Sequence, residues 1–470
     1  MTIRSLGICS ALAFGTAFAL LGVAETDPGP RKTTEATWGQ PLPGLSSADL
    51  AAFSEGFAKF REVVSVSGTE PGAPGVGLGP RFNLNSCAGC HAQPTVGGTS
   101  PRENPQVALA KAYGAENSIP SFIKADGPVR VVRFSRGGGA GPGGGRGNQP
   151  PPPPGRGGRG PGGPLAGLLS TAPPGAPAVG GRPDGGVHDL FVIAGRKDAN
   201  GCEIRQPDFA GAVAQRNAFF RIPTPLYGAG LIEAISEASI MNNLRADQPL
   251  KQSLGIGGRE NRNQNDGTIT RFGWKAQDKS LVTFAAEAMN VEEGVTNDLF
   301  PHEREDTPGC AINATPEDRG GAAIMAEFMR YLAPPVPAQA TAATERGKQT
   351  FASIGCATCH TPNLRTGKSN VVAMNEKWVP LYSDLALHDM GPGLDDFISQ
   401  GEANGRDWRT APLWGLGQRL FFLHDGRTSD LAQAIREHGT AGSEAYRTTA
   451  KFEALSSEQK QDLLSFLRSL

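Results

Sequence analysis

Cys87-Ala88-Gly89-Cys90-His91 and Cys356-Ala357-Thr358-Cys359-His360 write one five-residue pattern, C-x-x-C-H, twice in a single chain. A C-x-x-C pair alone suits a redox dithiol or half of a zinc site. The histidine that follows at once narrows the choice. Two thiols at this spacing can add to the two vinyl groups of one haem, and the adjacent imidazole then falls beneath the iron as proximal ligand. A redox dithiol has no use for that histidine, and a tetrahedral zinc site needs further ligands close by. The pattern predicts two covalently bound c-type haems, attached through Cys87, Cys90, Cys356 and Cys359, with His91 and His360 as metal ligands.

The N-terminus agrees. Arg4 precedes an apolar or small run over residues 6–21, and Gly22-Val23-Ala24 supplies small residues before a cleavage point. Residues 1–24 therefore read as a secretory signal peptide, and the mature protein is expected in the periplasm. The run is short and rich in Ala and Gly for a membrane anchor, and no later stretch approaches a span, so the protein is expected to be peripheral to a membrane at most. With 45 basic and 46 acidic residues the net charge is −1, and no global field points to nucleic acid. Of the 7 cysteines, Cys9 lies inside the leader and four belong to the pentads. Cys202 and Cys310 remain, and an oxidising compartment predicts a disulfide between them.

At 470 residues the chain has room for two or three domains. Residues 46–64 read as an amphipathic helix: Ser46 and Asp49 can form a capping box, and Leu50, Phe53, Phe57, Phe60 and Val64 recur at intervals of three and four. Residues 129–134 and 190–195 read as strands that pair with each other. The 63 Gly and 38 Pro concentrate between them, and a segment of that composition, 137–186, is expected to be a disordered insertion in a hairpin. The linker "APPVPAQA" ends the first unit near residue 340. Phe328-Met329-Arg330-Tyr331-Leu332 closes one unit and Phe466-Leu467-Arg468-Ser469-Leu470 the other, each downstream of its own pentad, which reads as two copies of one module. The expected fold is mainly α: two cytochrome c-like haem domains, 25–340 and 341–470, the N-terminal one enlarged by a few strands, long loops and the Gly/Pro insertion.

"RTAPLWGLGQRLFFLHDGRTSDLAQAIREHG" resembles the C-terminal signature of bacterial di-haem cytochrome c peroxidases. "NSCAGCHAQPTVGG", "RIPTPLYGAGLIEAI", "RFGWKA" and "HDMGPGL" resemble, in order, an exported di-haem c-type oxidoreductase family of peroxidases, sometimes described as thiol oxidoreductases. The resemblance covers roughly residues 45–470 apart from the insertion. It implies a peroxidase-like enzyme that takes electrons from a small redox protein or other donor at the C-terminal haem and reduces peroxide at the N-terminal one. O₂ is the other small molecule that an open iron could meet.

The second unit holds His388, Met390, His424 and His438 as candidates for a sixth iron ligand. The methionine ligand of the peroxidases' C-terminal haem falls on His438 here, so the resemblance implies a bis-His haem without the potential-raising methionine. Met390 is the runner-up and is expected to pack. No histidine follows the first pentad before His188, which leaves the N-terminal haem expected to be open and reactive. The resemblance places Glu233 as its acid/base residue and Trp274 as an electron relay between the haems. It also admits a calcium ion between the haems, for which no ligand set is readable. Two other functions fit the same motifs: a haem oxygenase acting on an apolar organic substrate, and a non-catalytic electron carrier with both irons six-coordinate.

Overall fold

The computed structural model describes residues 25–31, 38–110, 112–114, 117–135, 190–305 and 307–470. The predicted leader, 1–24, and the predicted disordered insertion, 137–186, lie outside them. The described chain is mostly helical, with six small two-stranded sheets. Among the described residues no helix is long and apolar enough to cross a membrane.

Two helix pairs organise the molecule, and they follow one plan. The opening helix of the first unit, Ser47–Phe60, begins with the expected capping box of Ser46 and Asp49 and packs on the closing helix Gly321–Tyr331. In the second unit Ala342–Ile354, capped by Thr341 and Thr344, packs on Ser457–Ser469, capped by Ser456 and Gln459. Both crossings are set by glycine. A Cβ on Gly56 would stand 2.5 Å from the Ile324 carbonyl oxygen, and one on Gly347 would stand 2.0 Å from that of Asp462. Four residues on, each opening helix turns a phenylalanine inward. Phe60 lies 4.9 Å from Phe328 and 5.8 Å from the His91 ring. Phe351 lies 5.5 Å from Phe466 and 6.4 Å from His360. Burying each such ring contributes about 1.5–3 kcal/mol and fixes where the pentad histidine stands.

The expected hairpin between 129–134 and 190–195 is not formed. Val131–Phe134 pairs antiparallel with Ala218–Arg221, and Phe191–Val192 pairs with Arg81–Phe82. Sequence neighbours pair readily across a short turn. Here a long connection intervenes, and each strand instead pairs with a segment beside the face on which it is buried. Cys202 and Cys310 are joined, closing a separation of 108 residues.

The larger hydrophobic core runs from Trp38 through Phe328 and takes in Leu364, Val379, Leu381, Leu385 and Trp414 from beyond the linker. The second, around Phe351, Phe452 and Phe466, belongs to the C-terminal unit alone. A strap also joins the ends of the chain. The Asp27 carboxylate accepts from Arg468 Nε and Nη2 at 2.7 and 2.5 Å and from the Leu431 amide at 3.1 Å. Arg31 donates from its amide to Gly417 and from its side chain to the Leu470 carbonyl.

Candidate haem-binding and catalytic site

Each pentad opens into its own cavity. In the second unit a cavity of about 210 Å³ is lined by Cys356, Cys359, His360 and His438 amid mostly apolar side chains. His360 Nδ1 donates to the Tyr382 carbonyl at 3.1 Å, and His438 Nδ1 donates to the Ala434 carbonyl at 2.7 Å. These bonds fix one tautomer on each ring and leave Nε2 as the basic nitrogen. His438 stands at the C-terminus of the short helix Leu431–Glu437, bonding back one turn. Burial, and then His438 itself, pushes the His360 imidazole down to about 4. Burial lowers the His438 imidazole as well, the direction that favours the neutral ring an iron ligand needs.

The other candidates in this unit line the same cavity but have partners of their own. His388 sits between two carboxylates, Asp384 at 3.0 Å from Nε2 and Glu444 at 2.7 Å from Nδ1, so both of its nitrogens are in use. His424 stacks on Trp408 at 3.7 Å. Met390 is buried in a small cluster with Ile222, Trp274, Leu394 and Trp408.

The lining of the first unit's cavity, about 90 Å³, includes Cys87, Cys90 and His91. His91 Nδ1 donates to the Gly98 carbonyl at 3.1 Å, the same arrangement again. Among the described residues no second histidine lines this cavity. Its lining also carries polar side chains, among them Gln277, Glu287, Glu292 and Arg133. Gln277 Nε2 donates to Glu287 Oε2 at 3.4 Å. Burial and the neighbouring Glu287 hold the Asp278 carboxyl well above its usual range, and burial pushes Glu292 up to about 7.

Glu233, the acid/base residue expected from sequence, lines neither cavity. Its Oε1 accepts from the Leu281 amide at 2.8 Å and its Oε2 pairs with Arg330 at 2.8 Å. It therefore fastens the start of helix Leu281–Glu292 to the closing helix, and the carboxylates that line the cavity, Glu287 and Glu292 with Glu293 at the cap, are further along that helix. Sequence reading passed over Gln277 and Glu287. A signal was present: Glu287 is the one acid inside the apolar run Leu281–Val291, and a charge there needs a polar cavity to face.

Trp274 lines both cavities. Its Nε1 donates to the Ile222 carbonyl at 2.9 Å, and the Ile222 amide donates to the His424 carbonyl at 2.8 Å. The ring stands edge-on to His424 at 6.5 Å.

A family profile described as "Di-haem oxidoreductase, putative peroxidase" matches residues 214–470, more than half of the chain. The chain belongs to this di-haem oxidoreductase family. Among solved structures it is similar to a MauG-like protein associated with microbial copper homeostasis, at 14% identity, TM-score 0.28, covering 51% of this chain and 91% of that one. The diheme peroxidase BthA from Burkholderia thailandensis matches at 13% identity and TM-score 0.27, covering 53% and 86%. Hydrazine synthase from Kuenenia stuttgartiensis matches at 17% identity and TM-score 0.23 over 35% of this chain, which spans 59% of the hydrazine synthase chain. No curated protein matches the chain.

The residues present fit the two haems of a di-haem oxidoreductase. The pentad cysteines are all free thiols, whereas Cys202 and Cys310 are bonded to each other. Burial pushes the Cys356 thiol up to about 12, the opposite of what a thiol-exchange cysteine requires. Haem carboxylates call for cations. Arg409 and Arg419 both line the larger cavity, and burial pushes each guanidinium down to about 10. Arg409 donates only to carbonyls, those of Gly273 and Thr410, and neither arginine forms an ion pair with a carboxylate among the described residues. A calcium ion fits less well: among the described residues no group of three or more His, Cys, Asp or Glu could hold a metal ion.

Proposed function

We propose that the protein is a periplasmic peroxidase that accepts electrons at the C-terminal haem and reduces peroxide at the N-terminal one. When bound, the haems supply two redox centres, one able to store an electron and one able to meet peroxide. The observation that carries this reading is the asymmetry of the cavities. One presents His360 and His438 with both Nε2 atoms available. The other has His91 as its one histidine among the described residues, with Gln277 and Glu287 in the same lining.

Reduction of H₂O₂ to two waters consumes two electrons and two protons, and one proton must move between the peroxide oxygens. Glu287 is placed to carry it, with Gln277 holding the carboxylate and offering a donor to the bound molecule. Trp274, between the cavities, gives electrons a short aromatic path, and a small redox protein is the expected donor. A carrier would have no need of an open polar wall.

The test is spectroscopic. The resting ferric protein should show one low-spin bis-His haem and one high-spin or water-ligated haem, and only the second should take cyanide. His438→Gly should turn the low-spin haem high-spin, while Met390→Leu should not. Two low-spin haems that refuse ligands in both the oxidised and half-reduced protein would establish the carrier instead.

A further inference from the structure

Lys275 follows Trp274 directly and is fully buried. Its Nζ donates to the carbonyls of Asn404, Gly405 and Asp407 at 2.8, 3.1 and 3.0 Å. It also meets Asp396 Oδ1 at 3.1 Å and stands 3.8 Å from the centre of the Trp408 ring. Three backbone carbonyls and a carboxylate around one positive charge is the donor set of a hard cation such as Ca²⁺.

All four oxygen donors come from the C-terminal unit, and the charge comes from the N-terminal one. The same loop is gripped by other side chains of the first unit. Arg221 pairs with the second oxygen of Asp396 at 2.6 Å, Arg259 pairs with Asp407 at 2.7 Å, and Asn261 donates to the Gln400 carbonyl at 3.2 Å. Trp408, covered by the ammonium, carries His424 stacked upon it, and His424 in turn meets Trp274. The cage therefore lies directly under the aromatic group between the two cavities.

We propose that the cation joining the two haem units is the Lys275 ammonium itself, seated in an oxygen cage that would otherwise take a hard metal ion. Lys275 is a positioning residue: it holds the loop 395–409, and with it Trp408 and His424, against Trp274. No metal is then required at this joint. The peroxidase reading enters only through the electron passage between haems, so stability and calcium response test the cage independently of it.

The experiment uses the two-haem protein, with EGTA and calcium chloride as probes and three readouts: Tm, haem spectra and the rate of electron passage between haems after rapid half-reduction. Wild type should ignore both probes. Lys275→Met keeps the apolar stem but takes the positive charge away from Asp396 Oδ1 and the three carbonyls; it should slow the passage and lower Tm by roughly 5 °C or more, without a calcium response. Lys275→Ala opens the cage, and millimolar calcium chloride should raise its Tm and restore the passage. A shift of wild type by EGTA overturns the proposal, because a metal is then native to the joint. Wild-type Tm and passage in Lys275→Met overturn it as well. Should Lys275→Ala fail to fold, EGTA treatment and Lys275→Met decide alone.

Discussion

Glu287 and Glu233 sit near opposite ends of one structural unit, and their surroundings give them opposite uses. Glu233 is saturated: one oxygen caps a helix and the other pairs with Arg330. Glu287 lines the cavity, accepts from the amide of Gln277 and lies beside the Asp278 carboxyl. Glu287→Gln should therefore cut kcat for peroxide by about 10²–10⁴-fold while leaving both haem spectra unchanged. Glu233→Gln should leave kcat near wild type and lower Tm, which steady-state kinetics and a thermal melt on the two variants will check. The contrast also marks what the sequence could say. The pentads were legible because haem attachment is a local chemistry, written in five consecutive residues. His438 became a candidate through a resemblance, and its place at a helix end, where it lines the cavity of His360, could be read from the short run before it. Gln277 and Glu287 were not legible, because the Cys87, Cys90 and His91 that line the same cavity come from a segment far away in the chain.

Among the elements, the two helix crossings repeat down to single positions. Gly56, Phe60 and Phe328 in the first unit correspond to Gly347, Phe351 and Phe466 in the second. The sequence displayed this repeat in its closing pentapeptides, since a buried helix face needs the same residues in both copies. The strands were less legible. Their apolar runs fixed that they were strands but not which partner each would take, because any buried edge of matching polarity would serve. Gly347→Ala tests the crossing. Alanine favours a helix over glycine by about 1 kcal/mol. The new methyl would meet the Asp462 backbone oxygen, which cannot swing aside, and overpacking of this kind costs about 1–3 kcal/mol. The collision should win. Gly347→Ala should melt earlier than wild type, and the second haem's absorption should change at that lower temperature, because Phe351 and His360 ride on the same crossing.

At the scale of the whole molecule the first described residues hold the last helix. Asp27 meets the Arg468 guanidinium and the first amide of helix Leu431–Glu437, at whose end His438 stands. Charge-assisted bonds of this kind contribute about 1.5–3 kcal/mol each. Asp27→Ala should lower Tm and let that helix loosen, seen as a growing high-spin fraction at the second haem on mild warming. Nothing in the sequence pointed to the strap, since residues 25–31 carry no periodicity and their partners lie at the far end of the chain. Its consequence is mechanical. A load applied between residue 25 and Leu470 would not stretch the body of the protein first; it would fall on Asp27 and Arg31, peel the strap from the closing helix, and reach the His438 helix before either core. The colour of one haem would then report tension between the two ends of the chain.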